Sequence, residues 1–305
     1  MHKLAVGICT FLVHDGVMIM VQVNDIVGRR SYDCDVFFRV IEVRGELVLL
    51  HGEDVRLIAD AHVSDLQLIS QAEQNDYRKE SLRQINESNQ LLRQDRERIQ
   101  QKKEYEVRDG YRRQKQDFFH VPGRVLHVDG DRNYLEKCLL LYRKLQVPVY
   151  GVHCGEKDMP YQIGQLIEQY RPDILVVTGH DAYSKSKGEM SDIGAYRHSK
   201  EFVQTVMEAR KKVGSLDQLV IFAGACQSHF ESLIQAGANF ASSPSRVNIH
   251  ALDPVYIVSK ISFTPFMDRI NVWDAIRNTL TGEKGLGGIE TKGVLRIGAP
   301  YDVKG

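Results

Sequence analysis

The chain of 305 residues carries 40 Lys and Arg against 40 Asp and Glu, so its formal charge is zero and no global field marks it for nucleic acid or an anionic membrane. At 43% hydrophobic residues it can bury a sizeable core, and its length suits about two domains. The five cysteines, Cys9, Cys34, Cys138, Cys154 and Cys226, contain no CxxC pair, which excludes a disulfide-framework reading and fits thiols kept reduced in a cytoplasm.

Residues 1–20, MHKLAVGICTFLVHDGVMIM, hold an apolar stretch that His14 and Asp15 interrupt, and no small-residue cleavage site follows. A secretory signal is therefore not expected. No later run approaches the roughly 20 apolar residues of a spanning helix. From 21 to 70 the runs DVFFRVIEV, ELVLLHG and DVRLIAD are separated by Gly, Asp and Arg-Gly turn signals, a pattern that predicts a small β-barrel of the SH3-like type. No residue in it points to a ligand.

From 71 to 116 the composition shifts to QAEQNDYRKESLRQINESNQLLRQDRERIQQKKEYEVRDG and beyond, dense in Gln, Glu, Arg and Lys, which predicts a long solvated helical linker. Leu82, Ile85, Leu92 and Ile99 follow a seven-residue grid, but Asn89 and Arg96 occupy its alternate positions. A coiled-coil seam is weakened accordingly, and self-association through this helix is the most it supports. Acidic residues accompany the basic ones throughout, which argues against a nucleic-acid arm.

From 117 to 305 apolar runs RVLHV, PVYGV, DILVVT and LVIFA alternate with amphipathic stretches. Near-continuous apolar strands between helices predict an α/β domain built on a parallel sheet. VYIVSKISF and GVLRIG are expected to add further strands. In such sheets chemistry collects at the carboxyl ends of the strands. Those ends carry, in order, Asp129 and Asp131, then His153 and Cys154, then His180 and Asp181, then Cys226.

Asp131 precedes RNYLEKCLLLYRKL and suits a helix cap. His153 and Cys154 are adjacent, so on a strand they face opposite ways and make poor joint metal ligands. His180 and Cys226 form the more telling pair. Each closes a predicted strand, Gly179 precedes the histidine, and Ala223, Gly224 and Ala225 precede the cysteine. A thiol becomes a nucleophile as thiolate, and an imidazole can take its proton and return it to a leaving amine. The separation of 46 residues matches the order and spacing of caspase-like peptidases. Against this stands the ordinary role of a lone cysteine as a buried small hydrophobe. His229 is a rival base, although on a helix starting after Cys226 it would point off the crevice.

At TGHDAYSK, FAGACQSHFESL, GANFASSPSRVNIHALDPVY and EKGLGGIETKGVLRIG the chain resembles the YabG family of sporulation-specific peptidases, and the likeness runs from about Asp25 to about Pro300, taking in SYDCDVFFRV and HGEDVRLIAD. The resemblance implies a caspase-like cysteine endopeptidase that trims spore coat and related spore proteins and itself, prefers cleavage after arginine, needs no metal or organic cofactor, and acts in the mother-cell cytoplasm and the spore coat. The family's histidine falls on His180 and its nucleophile on Cys226. The wider caspase-like pattern has glycine after the histidine, whereas here Asp181 follows. The oxyanion donors are then expected from the amide of Cys226 and one near Asp181. An arginine pocket needs a carboxylate, with Asp253 and Asp181 the candidates; Asp253 also reads as a turn residue before Pro254. GLGG at 285–288 lacks the partners of a phosphate cradle and reads as a substrate-facing turn or hinge. Below about residue 20 the likeness fades, and Met18 or Met20 is a candidate start. Two other readings stay open: a non-enzymatic spore assembly scaffold, and a metal-dependent hydrolase using Asp129, His153 and His180.

Overall fold

The structure is a computed structural model and describes residues 10–14, 17–108 and 119–298. The chain divides into two compact units, one ending at Arg83 and the other beginning at Gln84. The first unit opens with a hairpin of Thr10–His14 and Val17–Val21. It continues as a five-stranded antiparallel sheet of β1 (Ile26–Arg29), β2 (Phe38–Arg44), β3 (Leu47–Gly52), β4 (Ile58–His62) and β5 (Leu66–Leu68), in the order β4-β3-β2-β1-β5. The β2–β3 turn passes through Gly45 at φ +62°, where a side chain would be strained. Val27, Phe38, Val40, Val48 and Leu50 alternate along these strands and close a core with Val21, Ala61, Val63 and Leu66. The predicted strand runs are thus strands of an antiparallel sheet.

A capping box starts the long helix α1 (Gln71–Arg108): the Ser70 hydroxyl accepts from the Glu73 amide, and the Glu73 carboxylate accepts from the Ser70 amide at 2.8 Å. The boundary between the two units falls inside this helix. Leu92 is buried in the core of the second unit, a burial that contributes about 2 kcal/mol. Asp95 accepts from Lys260 Nζ at 2.7 Å, from Asn278 Nδ2 at 3.2 Å, and from the Arg277 guanidinium. Part of the heptad face is therefore covered by the chain itself.

The second unit is a six-stranded sheet: β6 (Val125–Asp129), β7 (Val149–His153), β8 (Ile174–Thr178), β9 (Val220–Ala223), β10 (Phe240–Ser242) and β11 (Leu286–Gly288), in the order β7-β6-β8-β9-β10-β11. All neighbours are parallel except β11, which runs antiparallel to β10. Side chains alternate between two cores. Val125, Ile174, Val176, Val220 and Phe222 face helices α2 (Arg132–Lys144), α6 (Asp253–Phe263) and α7 (Val272–Ile276). Leu126, Val128, Leu175, Val177 and Ile221 face α3 (Met159–Tyr170), α4 (Ser199–Lys212) and α5 (Phe230–Gln235). Period-two alternation in strands buried on both sides gives the continuous apolar runs read in the sequence.

Two expectations are corrected. VYIVSKISF is not a strand but the body of α6, buried almost all round, with Pro254 in its first turn; a helix apolar on every side has no 3.6-residue stripe to betray it. GLGG is neither hinge nor cradle, since Leu286–Gly288 is the edge strand β11, and a Cβ on Gly288 would meet the Asn239 carbonyl oxygen at 2.5 Å. GVLRIG does supply a short strand, Arg296–Gly298, paired with Phe119–Val121 apart from the main sheet. No helix among the described residues is long and apolar enough to cross a membrane.

Candidate active site

The site is built where β8 and β9 end. Their parallel register pairs Val177 with Ala223, and the Gly224 amide donates to the Val177 carbonyl at 3.0 Å. His180 and Cys226 each lie three residues beyond that pair, in the loops that follow adjacent strands, so the topology brings both to one edge of the sheet at the same offset. The two loops are then stitched together just past them. Ser228 Oγ donates to Asp181 Oδ2 at 2.9 Å, and the Tyr183 amide donates to Gln227 Oε1 at 3.1 Å.

The turn that presents Cys226 follows from its small residues. Gly224 takes φ +107°, and Gln227 takes φ +55°, a left-handed pair that bends the chain sharply between β9 and α5. The Ala225 amide donates to Ser228 Oγ at 2.9 Å and the Ala225 carbonyl accepts from Ser242 Oγ at 2.8 Å, fixing the bend from both sides. Cys226 is buried, and its sulfur accepts from the Ile249 amide at 3.2 Å while facing the Ile249 carbonyl at 3.7 Å. The same segment takes the Gln227 amide onto the Val247 carbonyl at 3.0 Å and the Gln227 side chain onto Asn248. Residues 247–249 therefore pack directly against the sulfur and the turn that carries it.

His180 is held by two carboxylates that sequence reasoning did not assign to it. Its Nε2 lies 2.9 Å from Asp131 Oδ2, and its backbone amide donates to Glu156 Oε1 at 2.8 Å. Asp131 is also the helix cap that its position predicted, accepting from the Tyr134 amide through Oδ1 at 2.9 Å. One oxygen is therefore fixed by α2 and the other meets the imidazole. A carboxylate on Nε2 favours the tautomer with its proton there and its lone pair on Nδ1. Glu156 leaves the loop after β7 and lies across the ends of β6 and β8, where a Cβ on Gly130 or Gly179 would meet its Oε1 at 2.2 or 2.5 Å. Glycine immediately after each of two strand ends was the sequence signal for this seat.

The remaining candidates are placed elsewhere. Asp181 is 2% exposed and accepts four hydrogen bonds, from the Ser199 and Ser228 hydroxyls and from the His198 and Ala182 amides. Burial pushes its carboxyl above the usual aspartate range against the pull of those donors. Asp253 is wholly buried in the first turn of α6, with its oxygens taken by Leu280, Thr281 and His250 amides and by the Thr281 hydroxyl, and burial raises its carboxyl too. Both side chains brace loops from inside, so neither is turned toward a substrate guanidinium, and the two expected pocket carboxylates are corrected on this ground. His229 caps α5, accepting from the Ser232 amide, and its other nitrogen meets the Ser191 carbonyl at 3.2 Å; it is not directed at Cys226 as a rival base. Asp129 turns into the sheet against His127 Nε2 at 3.3 Å, whereas His153 is exposed at the end of β7, so these two are not gathered with His180.

A family model described as YabG peptidase U57 matches residues 22–300. Among curated proteins, the chain is 62% identical over 285 residues to one named sporulation-specific protease YabG from Bacillus subtilis (strain 168), covering 92% of this chain and 98% of that relative. No solved structure matches it.

Proposed function

The chain belongs to the YabG peptidase U57 family and is a protease of sporulation; from that premise we propose that it is a cysteine endopeptidase with Cys226 as nucleophile, His180 as base and Asp131 as the residue that orients the imidazole. The observation that carries this reading is the β8–β9 register, which sets His180 and Cys226 at equal offsets past the ends of neighbouring strands, with Asp131 on the Nε2 side of the ring. In the reaction, His180 Nδ1 takes the thiol proton, and the thiolate attacks the scissile carbonyl carbon. The resulting tetrahedral oxyanion is met by the backbone amides of Cys226 and Asp181. As the C–N bond breaks, His180 returns the proton to the leaving amine and a thioester remains. Water, deprotonated by the same imidazole, then cleaves the thioester and restores the thiol.

The substrates are spore coat and related spore proteins, the chain itself included, with cleavage after arginine; these finer properties rest on the family likeness. The test is incubation of wild-type, Cys226→Ala and His180→Ala protein with candidate coat proteins, followed by mapping of new termini. No new termini with either variant supports the reading, and full residual cleavage by Cys226→Ala refutes it. His229→Ala is expected to keep activity. Iodoacetamide is expected to inactivate the wild type at a rate set by opening of residues 247–249, whereas chelators leave it active.

A further inference from the structure

The two polar residues that interrupt the heptad grid of α1 have found different fates. Arg96 stacks its guanidinium 3.4 Å from the centre of the Phe263 ring. Asn89 is 5% exposed, and among the described residues neither its Nδ2 nor its Oδ1 has a hydrogen-bond partner. A buried amide left without donor or acceptor is rare in folded proteins and calls for a ligand or a reason. Asn89 lines an open cavity of about 400 Å³ together with Asn86, Gln90 and Arg93 of α1 and Lys144 of the last turn of α2.

The charge in this cavity is all of one sign. Arg93 and Lys144 are exposed at its mouth, and among the described residues neither has a carboxylate at ion-pair distance. The aspartate two residues along, Asp95, is taken up by Lys260 and Arg277 on another side of the helix. Arg96 registers the excess: burial, and then the positive charge of Arg93, lower it to about 10.

We propose that this cavity is a binding site for a phosphate group, with Arg93 and Lys144 holding its charge and Asn89 reading it from the floor. A guanidinium and an ammonium supply donors to the oxygens. Asn89 Nδ2 supplies a further donor, but Oδ1 needs a partner that can give a proton. A phosphate group near neutral pH carries a P–OH for it, whereas a sulfate or an ionised carboxylate carries none. The bound group fastens α1 to the end of α2. Nothing in this site touches Cys226 or His180, so it stands or falls apart from the peptidase reading.

The test titrates the full chain with inorganic phosphate, sulfate and acetate at constant ionic strength, by calorimetry and by thermal melting. Saturable binding of phosphate, weaker by about tenfold or more for sulfate and acetate, is expected, because a site with an unmet acceptor discriminates against an analogue that lacks the donor. General salting effects rank sulfate among the strong stabilisers and do not saturate, so they cannot mimic that order. Arg93→Ala, at an exposed position, should fold normally and lose about tenfold or more in phosphate affinity. Asn89→Leu should melt higher than wild type without anion and gain nothing from phosphate. Absence of saturable phosphate binding, equal binding of sulfate, or unchanged affinity in Arg93→Ala would each overturn the assignment.

Discussion

Asp131→Asn separates the two tasks of one side chain. In the native site Oδ1 accepts from the Tyr134 amide and Oδ2 meets His180 Nε2. The helix amide can only donate, so it locks the asparagine with its oxygen on α2 and its NH₂ toward the imidazole. Nε2 must then accept, which moves the ring proton to Nδ1, the nitrogen that should receive the proton of Cys226. Asparagine caps a helix about as well as aspartate, and loss of the charge at the helix start costs only about 0.3–1 kcal/mol. Catalysis should suffer far more: a wrong tautomer costs on the order of 10³ in rate, about 4 kcal/mol of transition-state stabilisation. The expected result is a melting curve close to wild type with kcat on a protein substrate down by about three decades. Asp131→Ala should be as inactive and also less stable by about 1 kcal/mol, because the cap goes as well. Asp131→Asn protein retaining more than about a third of wild-type kcat would show that Asp131 does not set the tautomer, and the orienting role would be withdrawn.

Glu156→Ala removes the acceptor for the His180 amide, and loosening the base should lower kcat by about tenfold to a hundredfold with KM little changed. Glu156→Gln keeps an acceptor in the same place and should recover to within about threefold of wild type; a glutamine variant as weak as the alanine one would show that charge, rather than this hydrogen bond, is what matters. Asp95→Asn leaves Lys260 without its counter-charge and the half-exposed Arg277 with only Asp274 at 3.9 Å, and about 2 kcal/mol should be lost, read as faster hydrogen exchange around Leu92 as well as an earlier melt. Burial pushes the Asp95 carboxyl up, but Lys260, Asn278 and Arg277 outweigh it and hold the group below the usual range. Its contribution is thus complete above the unfolded value of about 3.9 and is lost as pH falls through the lower folded value. The gap between wild type and Asp95→Asn should therefore close on acidification toward about pH 3, and a gap that widens there would contradict the ion-pair account.

The sequence by itself determined the elements whose signal is local. The strand runs other than VYIVSKISF, helix caps such as Asp131, and the small residues around Cys226 and His180 express preferences of a few neighbouring residues, and these survive into the structure. It also placed both site residues at strand ends, because apolar runs buried on two faces stop where the sheet stops. Tertiary structure alone decided which strands became neighbours and in what register, since that is settled by packing between segments far apart in the chain. That register is why His180 and Cys226 share one edge. It also decided which way each carboxylate turned. Asp131 and Glu156 meet His180 because α2 and the glycines at two strand ends leave them that geometry, while Asp181 and Asp253, equally acidic in sequence, found buried amides and hydroxyls to brace. An apolar run such as VYIVSKISF is compatible with strand or helix until its surroundings bury every side of it, and only the assembled core made it α6.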